Sequence, residues 1–189
     1  MNEILLVALG DVGDQVLGAI ENRLWQVFDH QVRCLPCLSA PAYAYDAKRQ
    51  QYGAVEILRR TLASAPPETH RLLAVTEADL FIPMLSFVFG QAQLNGTAAV
   101  VSLARLRQEF YGLTPHGLLL LERAGKEAVH EIGHTYGLLH CPDPGCPMSL
   151  SNTLRQVDHK GEDLCMNCSI MVEELTKQKR TMRGAEGIR

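Results

Sequence analysis

Residues 130–140 read His130-Glu131-Ile132-Gly133-His134-Thr135-Tyr136-Gly137-Leu138-Leu139-His140, and this stretch decides both the fold and the chemistry. On an α-helix, His130 and His134 lie one turn apart on the same face, so both imidazoles can bind a single ion. Glu131 lies roughly 100° around the helix from His130. Its carboxylate is therefore poorly placed as a third ligand but suited to act as a general base on a water bound to the ion.

The third histidine, His140, can join the other two only if the helix ends before it. A straight helix would carry His140 roughly 15 Å along the axis from His130, too far to share an ion. Gly137 can turn the chain because glycine adopts left-handed backbone conformations without a Cβ clash. Three neutral imidazoles would leave one position open for water, which is the arrangement of a catalytic zinc. The alternative is a helix with two core histidines and a solvent-exposed glutamate.

Four cysteines follow the histidines directly, as the pairs Cys141/Cys146 and Cys165/Cys168. Two such closely spaced pairs are typical of a closed structural zinc site, and the alternative is four free or disulfide-bonded thiols. If residues 140 and 141 are extended, their side chains point to opposite sides of the chain. The two metal sites would then share one backbone segment. Residues 141–176 contain few large apolar side chains, so we expect a metal to order them.

The remaining pair, Cys34 and Cys37, has no second pair with which to build another zinc site. A C-x-x-C spacing is also found in redox pairs, where it lowers the thiol pKa. Because these two residues lie on a predicted strand and at its end, we expect core thiols.

Working outward from this region, hydrophobic periodicity predicts strands that alternate first with helices and then form a hairpin around Asn95-Gly96. This order indicates an α/β (α+β) fold with a mixed, twisted sheet and flanking helices. The predicted strands span 3–9, 31–35, 71–76, 87–93 and 97–103, and the predicted helices span 12–28, 48–64, 115–138 with Thr114 as N-cap, and 161–176. We divide the chain into a catalytic core, 1–140, a four-cysteine subdomain, 141–176, and a flexible basic tail, 177–189.

The composition excludes several classes of protein. The 189 residues are 47% hydrophobic and 21% charged, with a formal charge of −3, which argues against disorder and against a basic field that attracts nucleic acid. The first apolar run, 4–9, is too short for a signal peptide or a membrane span. We therefore expect a cytoplasmic monomer without a membrane or nucleic-acid partner.

The stretch 130–140, followed by Cys141, Cys146, Met148 and the Cys165/Cys168 pair, resembles the archaemetzincins, a branch of the metzincin-like zinc metalloproteases. Residues 87–93 and 101–106 are also similar to this family. The resemblance implies a zincin-like fold with a long active-site helix. It implies a catalytic zinc bound by His130, His134 and His140, Glu131 as general base, and a structural zinc bound by Cys141, Cys146, Cys165 and Cys168.

The resemblance also implies that Met148 forms a Met-turn, an apolar floor beneath the histidines, whereas an ordinary core methionine is the alternative. Members of the family are described as zinc peptidases with poorly defined substrates. We therefore expect two Zn²⁺ ions per chain and hydrolysis of peptides or unfolded protein segments, by an endopeptidase or an aminopeptidase.

Three other functions are compatible with the sequence. One is a zinc-stabilised binding module whose basic tail, with Lys177, Lys179, Arg180 and Arg183, would contact nucleic acid. Another is a pseudo-protease that keeps the metal but has lost turnover. The last is a zinc hydrolase acting on a non-peptide amide.

Overall fold

The computed structural model describes residues 3–186, and of residues 178–186 the backbone alone. Strands and helices alternate along the first part of the chain, as predicted. In chain order the elements are β1 Glu3–Leu9, α1 Asp14–Phe28, β2 Gln31–Cys34, β3 Tyr45–Asp46, β4 Gln51–Gly53, α2 Ala54–Ala63, β5 Arg71–Thr76, β6 Leu80–Phe81, β7 Gly90–Ala92, β8 Ala98–Ser102, α3 Gly117–Tyr136, α4 Leu154–His159 and α5 Met166–Glu186.

Five strands form the main sheet in the order β2-β1-β5-β8-β7. The first four are parallel, and β7 runs antiparallel to β8 at the edge. The hairpin between β7 and β8 turns at Asn95, which adopts a left-handed conformation with φ 55°. The predicted mixed sheet with flanking helices is thus confirmed. A second, smaller sheet has the order β3-β4-β6.

Both faces of the main sheet are covered, which explains the unbroken apolar run of β1. Alternate side chains of this strand enter two separate hydrophobic clusters. One cluster contains the buried faces of α1 and α3, and the other contains α2. The two sets of β1 residues are Ile4, Leu6 and Ala8 on the α1/α3 face, and Leu5, Val7 and Leu9 on the α2 face.

Several element boundaries differ from the prediction. Helix α2 begins at Ala54 rather than at 48, because residues 51–53 pair with β6 instead. Helix α3 has His116 as its N-cap instead of Thr114, and the His116 Nδ1 accepts a hydrogen bond from the Leu119 N–H at 3.1 Å. Helix α4 was not predicted, and its N-terminus is closed by a capping box.

The C-terminal helix α5 also differs from the prediction, since it continues beyond residue 176 to Glu186. The side chains of the predicted basic tail beyond Lys177 lie outside the described residues. Among the residues that are described, no helix combines the length and the apolar character needed to cross a bilayer.

The prediction that Cys34 and Cys37 are core thiols is wrong, because both are exposed. Strand β2 is an edge strand of the main sheet, and of its residues only Val32 is buried. Cys34 ends this strand and its Sγ lies 3.7 Å from Glu21 Oε2, while the Cys37 Sγ lies 3.2 Å from the Gly10 carbonyl oxygen. The two thiols have apolar neighbours in the sequence, but they are exposed because β2 is the last strand on this side of the sheet.

Candidate metal centre and catalytic cleft

Helix α3 ends where the sequence predicts, at Gly137, which has φ 109°. The Gly137 N–H donates to the His134 carbonyl at 2.9 Å, and the Leu138 N–H donates to the Gly133 carbonyl at 3.1 Å. These two bonds form a Schellman motif, in which a left-handed residue closes the helix. The chain then turns back, so that the ring of His140 lies 5.4 Å from the ring of His130.

Three imidazole nitrogens converge after this turn, all within 4.8 Å of one another. The Nδ1 of His130 lies 2.8 Å from the Pro147 carbonyl oxygen, and the Nδ1 of His134 lies 2.8 Å from the Leu138 carbonyl oxygen. Because a carbonyl can only accept, each Nδ1 carries the proton and each Nε2 presents a lone pair.

The two Nε2 atoms of His130 and His134 are only 3.1 Å apart. Two lone pairs at this distance repel one another unless a cation lies between them. A tetrahedral zinc with Zn–N bonds of about 2.0–2.1 Å would hold such nitrogens about 3.3 Å apart. The donor set therefore fits a zinc ion.

The environment favours the neutral form of all three imidazoles, which is the form that binds metal. Burial lowers the pKa of His130 well below its ordinary value, and the positive charge of Lys160 lowers it further. Burial also lowers the pKa values of His134 and His140. His130 is buried and His140 is exposed, so the histidine cluster opens toward solvent on one side.

Glu131 lies next to this cluster, with only 4% of its surface exposed. Its carboxylate packs against β7 at Gly90, where an added Cβ would lie 2.5 Å from Glu131 Oε1. A glycine is thus required at this position for the carboxylate to occupy its place. Burial raises the pKa of Glu131 well above its ordinary value, the carboxylate of Glu127 raises it further, and Lys160 opposes both effects.

A buried ion pair that sequence reasoning missed lies beside Glu131. The Nζ of Lys160 is 2.8 Å from Glu127 Oε1, and these side chains are 0% and 3% exposed. Glu127 is one helical turn before Glu131 on α3, so its position could have been found from the spacing. Lys160 follows α4 and has no local pattern that connects it with α3.

Met148 is fully buried in the same cluster of residues. A Cβ added at Gly133 would lie 3.1 Å from Met148 Cε, so the methionine packs directly against the turn of α3 that carries His134. The main-chain carbonyl of the preceding Pro147 accepts the hydrogen bond from His130, and a Met-turn at Met148 stays a prediction.

The four cysteines also come together, with their sulfurs all within 4.8 Å and no disulfide between them. The Sγ atoms of Cys141 and Cys165 are 3.8 Å apart, the spacing of about 3.8 Å expected for two thiolates on a tetrahedral zinc. Burial raises the pKa values of Cys146 and Cys168, so a cation is needed to hold all four sulfurs as thiolates. This cluster also fits zinc.

The histidines and Glu131 line a cleft of about 480 Å³. One wall is formed by residues 82–94, which include β7, and the other by residues 139–140 and 150–152. Two leucines of the lining, Leu139 and Leu150, are 65% and 54% exposed. The cleft therefore joins a strand edge, a candidate ion site and a buried carboxylate.

Three convergent imidazoles beside a buried carboxylate in an open cleft define the site of a metal-dependent hydrolase. The model of peptidase family M54 matches residues 47–174 of the chain. An archaemetzincin of Methanocaldococcus jannaschii is 43% identical over 165 residues, which cover 87% of this chain and 89% of that protein.

Solved structures agree with this match. The crystal structure of archaemetzincin from Methanopyrus kandleri has a TM-score of 0.81 and 37% identity, covering 93% of this chain and 95% of that one. A zinc-dependent peptidase from Methanocorpusculum labreanum has a TM-score of 0.80 and 32% identity, covering 89% and 99%. The chain belongs to peptidase family M54, a family of zinc metallopeptidases, and the resemblance to the archaemetzincins is confirmed.

Proposed function

We propose that the chain hydrolyses peptide bonds in this cleft, with a catalytic zinc held by His130, His134 and His140 and with Glu131 as general base. The observation that carries the proposal is the convergence of three imidazole nitrogens beside one buried carboxylate. We also propose a second, structural zinc held by Cys141, Cys146, Cys165 and Cys168, which gives two ions per chain.

A zinc ion at the histidines would supply Lewis acidity, polarising the scissile carbonyl and lowering the pKa of the attacking water. Glu131 accepts a proton from that water as the new C–O bond forms. It then gives the proton to the amine nitrogen as the C–N bond breaks. Its burial against Gly90 makes it a stronger base than an exposed carboxylate and fixes its direction.

The substrate that the cleft suits best is an extended peptide or an unfolded segment. Strand β7 ends the main sheet, so a peptide can pair with its free edge. The charged carboxylates of the cleft are Glu131 and Glu127, and Glu127 is already paired with Lys160. Since exposed Leu139 and Leu150 also line the cleft, we propose that apolar residues flank the cleaved bond.

The replacement Glu131→Gln tests the mechanism, because it keeps the shape of the side chain but cannot accept the proton. We expect kcat/KM toward a library of apolar peptides to fall by about 10³-fold or more, with the zinc content unchanged. Glu122→Gln, an exposed position on the same helix, is the matched control and should keep full activity. Equal activity of Glu131→Gln and the wild type would refute the mechanism.

The same assay distinguishes the open classes of function. Cleavage of N-acetylated peptides indicates an endopeptidase, and cleavage of only free amino termini indicates an aminopeptidase. A wild-type chain that holds zinc at the histidines but cleaves no peptide would be a pseudo-protease or a hydrolase of non-peptide amides.

A further inference from the structure

Arg105 lies outside the cleft, and its guanidinium contacts one carboxylate and two aromatic rings. Its Nε and Nη2 donate to Asp79 Oδ1 and Oδ2 at 2.6 and 2.9 Å. The guanidinium carbon also lies over the ring of Phe87 at 4.2 Å and over the ring of Phe110 at 4.6 Å from the ring centres. A two-point ion pair combined with two cation–π contacts fixes the orientation of an arginine more firmly than a simple surface ion pair does.

The partner carboxylate, Asp79, connects Arg105 with the backbone of the cleft wall. Asp79 Oδ2 accepts a hydrogen bond from Gln51 Nε2 at 3.0 Å, and the same Nε2 lies 3.0 Å from the Ser86 carbonyl oxygen. Next to it, the Val88 N–H donates to the Leu80 carbonyl at 3.0 Å. The Asp79 carboxylate is thus linked through Gln51 to the Ser86 carbonyl and through Arg105 to the ring of Phe87.

The side chain that Arg105 contacts is itself part of the wall. Phe87 lines the cleft, and its ring meets the buried ring of Phe89 edge-on at 5.3 Å. Gly90, against which Glu131 packs, follows directly in the chain. A shift of Phe87 would therefore change the surface on which a peptide lies before it reaches the reacting groups.

We propose that Arg105 is a positioning residue for substrate binding, which holds Phe87 and Ser86 as a fixed wall of the cleft. This inference rests on the proposed peptidase function for the identity of the ligand, an extended apolar peptide. Because the wall is already ordered, it loses no conformational entropy when the peptide binds. Loss of Arg105 thus weakens the binding of substrate and transition state alike, which raises KM and leaves kcat unchanged.

Arg107 provides a matched control two residues away. It makes an equivalent two-point pair with Glu77, at 2.9 and 2.5 Å. Its ion-pair partners among the described residues are Glu77 and Glu109, neither of which lines the cleft. Replacing Arg107 thus removes a similar ion pair without releasing Phe87.

The first measurement compares the steady-state kinetics of Arg105→Leu, Arg105→Lys and Arg107→Leu on one apolar peptide. We expect Arg105→Leu to raise KM about tenfold with kcat within about twofold, and Arg105→Lys to lie between it and the wild type. Arg107→Leu should keep the KM of the wild type, and all variants should keep their zinc. A lower kcat at unchanged KM, or equal effects in the Arg105→Leu and Arg107→Leu variants, would overturn the proposal.

A second measurement does not depend on turnover. We expect the Val88 amide to exchange its hydrogen about tenfold faster in Arg105→Leu than in Arg107→Leu, and the uncleaved peptide to bind Arg105→Leu more weakly in a Glu131→Gln background. If no variant cleaves peptide, the proposed function fails, whereas faster Val88 exchange still supports the held wall. If Val88 exchanges equally fast in both arginine variants, Arg105 does not hold the wall.

Discussion

The histidine cluster and the four-cysteine cluster adjoin one another but obtain their order in different ways. His130 and His134 are carried by α3, whose inward side chains Ala128, Val129 and Ile132 are fully buried in the main core. Among the buried hydrophobic residues described beyond 140, by contrast, Cys146 and Cys168 are themselves candidate ligands, and Met148, Val157 and Val172 belong to the main core. Packing against the sheet thus preforms the two helical ligands of the first site, whereas the described residues around the second form no hydrophobic core separate from the main one.

This difference suggests a division of labour between the two ions. A site that is preformed by packing can release its metal and keep its shape, and can leave one position open for chemistry. A site without a core needs its metal in order to fold. The proposed structural zinc thereby contributes to catalysis indirectly, through the segment that carries Pro147 and Met148 to α3.

The largest effect should come from removing one ligand of each cluster. We expect Cys165→Ser to lower the free energy of unfolding by on the order of 5 kcal/mol, because the segment after residue 141 loses its order. His134→Ala should lower it by less than about 2 kcal/mol while one zinc is lost and hydrolysis stops. Urea unfolding and metal analysis measure both, with the exposed Cys34→Ser as control.

Equal losses of stability in Cys165→Ser and His134→Ala would contradict the claim that only the four-cysteine cluster needs its metal in order to fold. So would a Cys165→Ser variant that retains two zinc ions per chain.

The next effect concerns the ion pair that joins the two regions. Lys160→Met leaves Glu127 buried without its partner, and we expect the free energy of unfolding to fall by about 3–5 kcal/mol. The double variant Glu127→Gln/Lys160→Met removes both charges and should recover most of this loss. Urea titrations of the single and double variants test the pair, and a double variant as unstable as Lys160→Met would show that charge is not the cause.

The replacement Gly90→Ala should have the smallest effect on stability but a large effect on activity. In Gly90→Ala the new methyl group displaces the Glu131 carboxylate, so we expect kcat/KM to fall by about 100-fold with a change in stability below about 1–2 kcal/mol. Gly18→Ala, on the exposed face of α1 with open space around it, is the control and should stabilise the chain by about 0.5–1 kcal/mol. Full activity in Gly90→Ala would mean that the position of Glu131 is not critical.

The parts of the site that could be predicted are those encoded by neighbours in the chain. The helical spacing of His130 and His134 and the turn at Gly137 follow from backbone geometry alone. The contact between β7 and Glu131 at Gly90 depends on how the sheet packs against α3. No local sequence pattern therefore predicts it. The same holds for Lys160, which meets Glu127 only after α4 has folded back onto α3.

In the fold, too, the elements that could be predicted are those encoded by residues close together in the sequence. The unbroken apolar runs of β1 and β5 and the helical periodicity of α1 predict these elements, because both faces of the strands and one face of the helix are buried. Strands β3, β4 and β6 have two or three residues each, too few for a period to appear. The exposure of Cys34 likewise depends on the position of β2 at the edge of the sheet, which only the strand order reveals.

His140 and Cys141 are joined by a single peptide bond, with one side chain in each candidate metal cluster. Neither cluster can therefore be shifted along the chain, loosened by an inserted residue or transplanted to another scaffold independently of the other. Any redesign of the histidine cluster must therefore keep the position of the four-cysteine cluster, since both clusters depend on the same two consecutive residues.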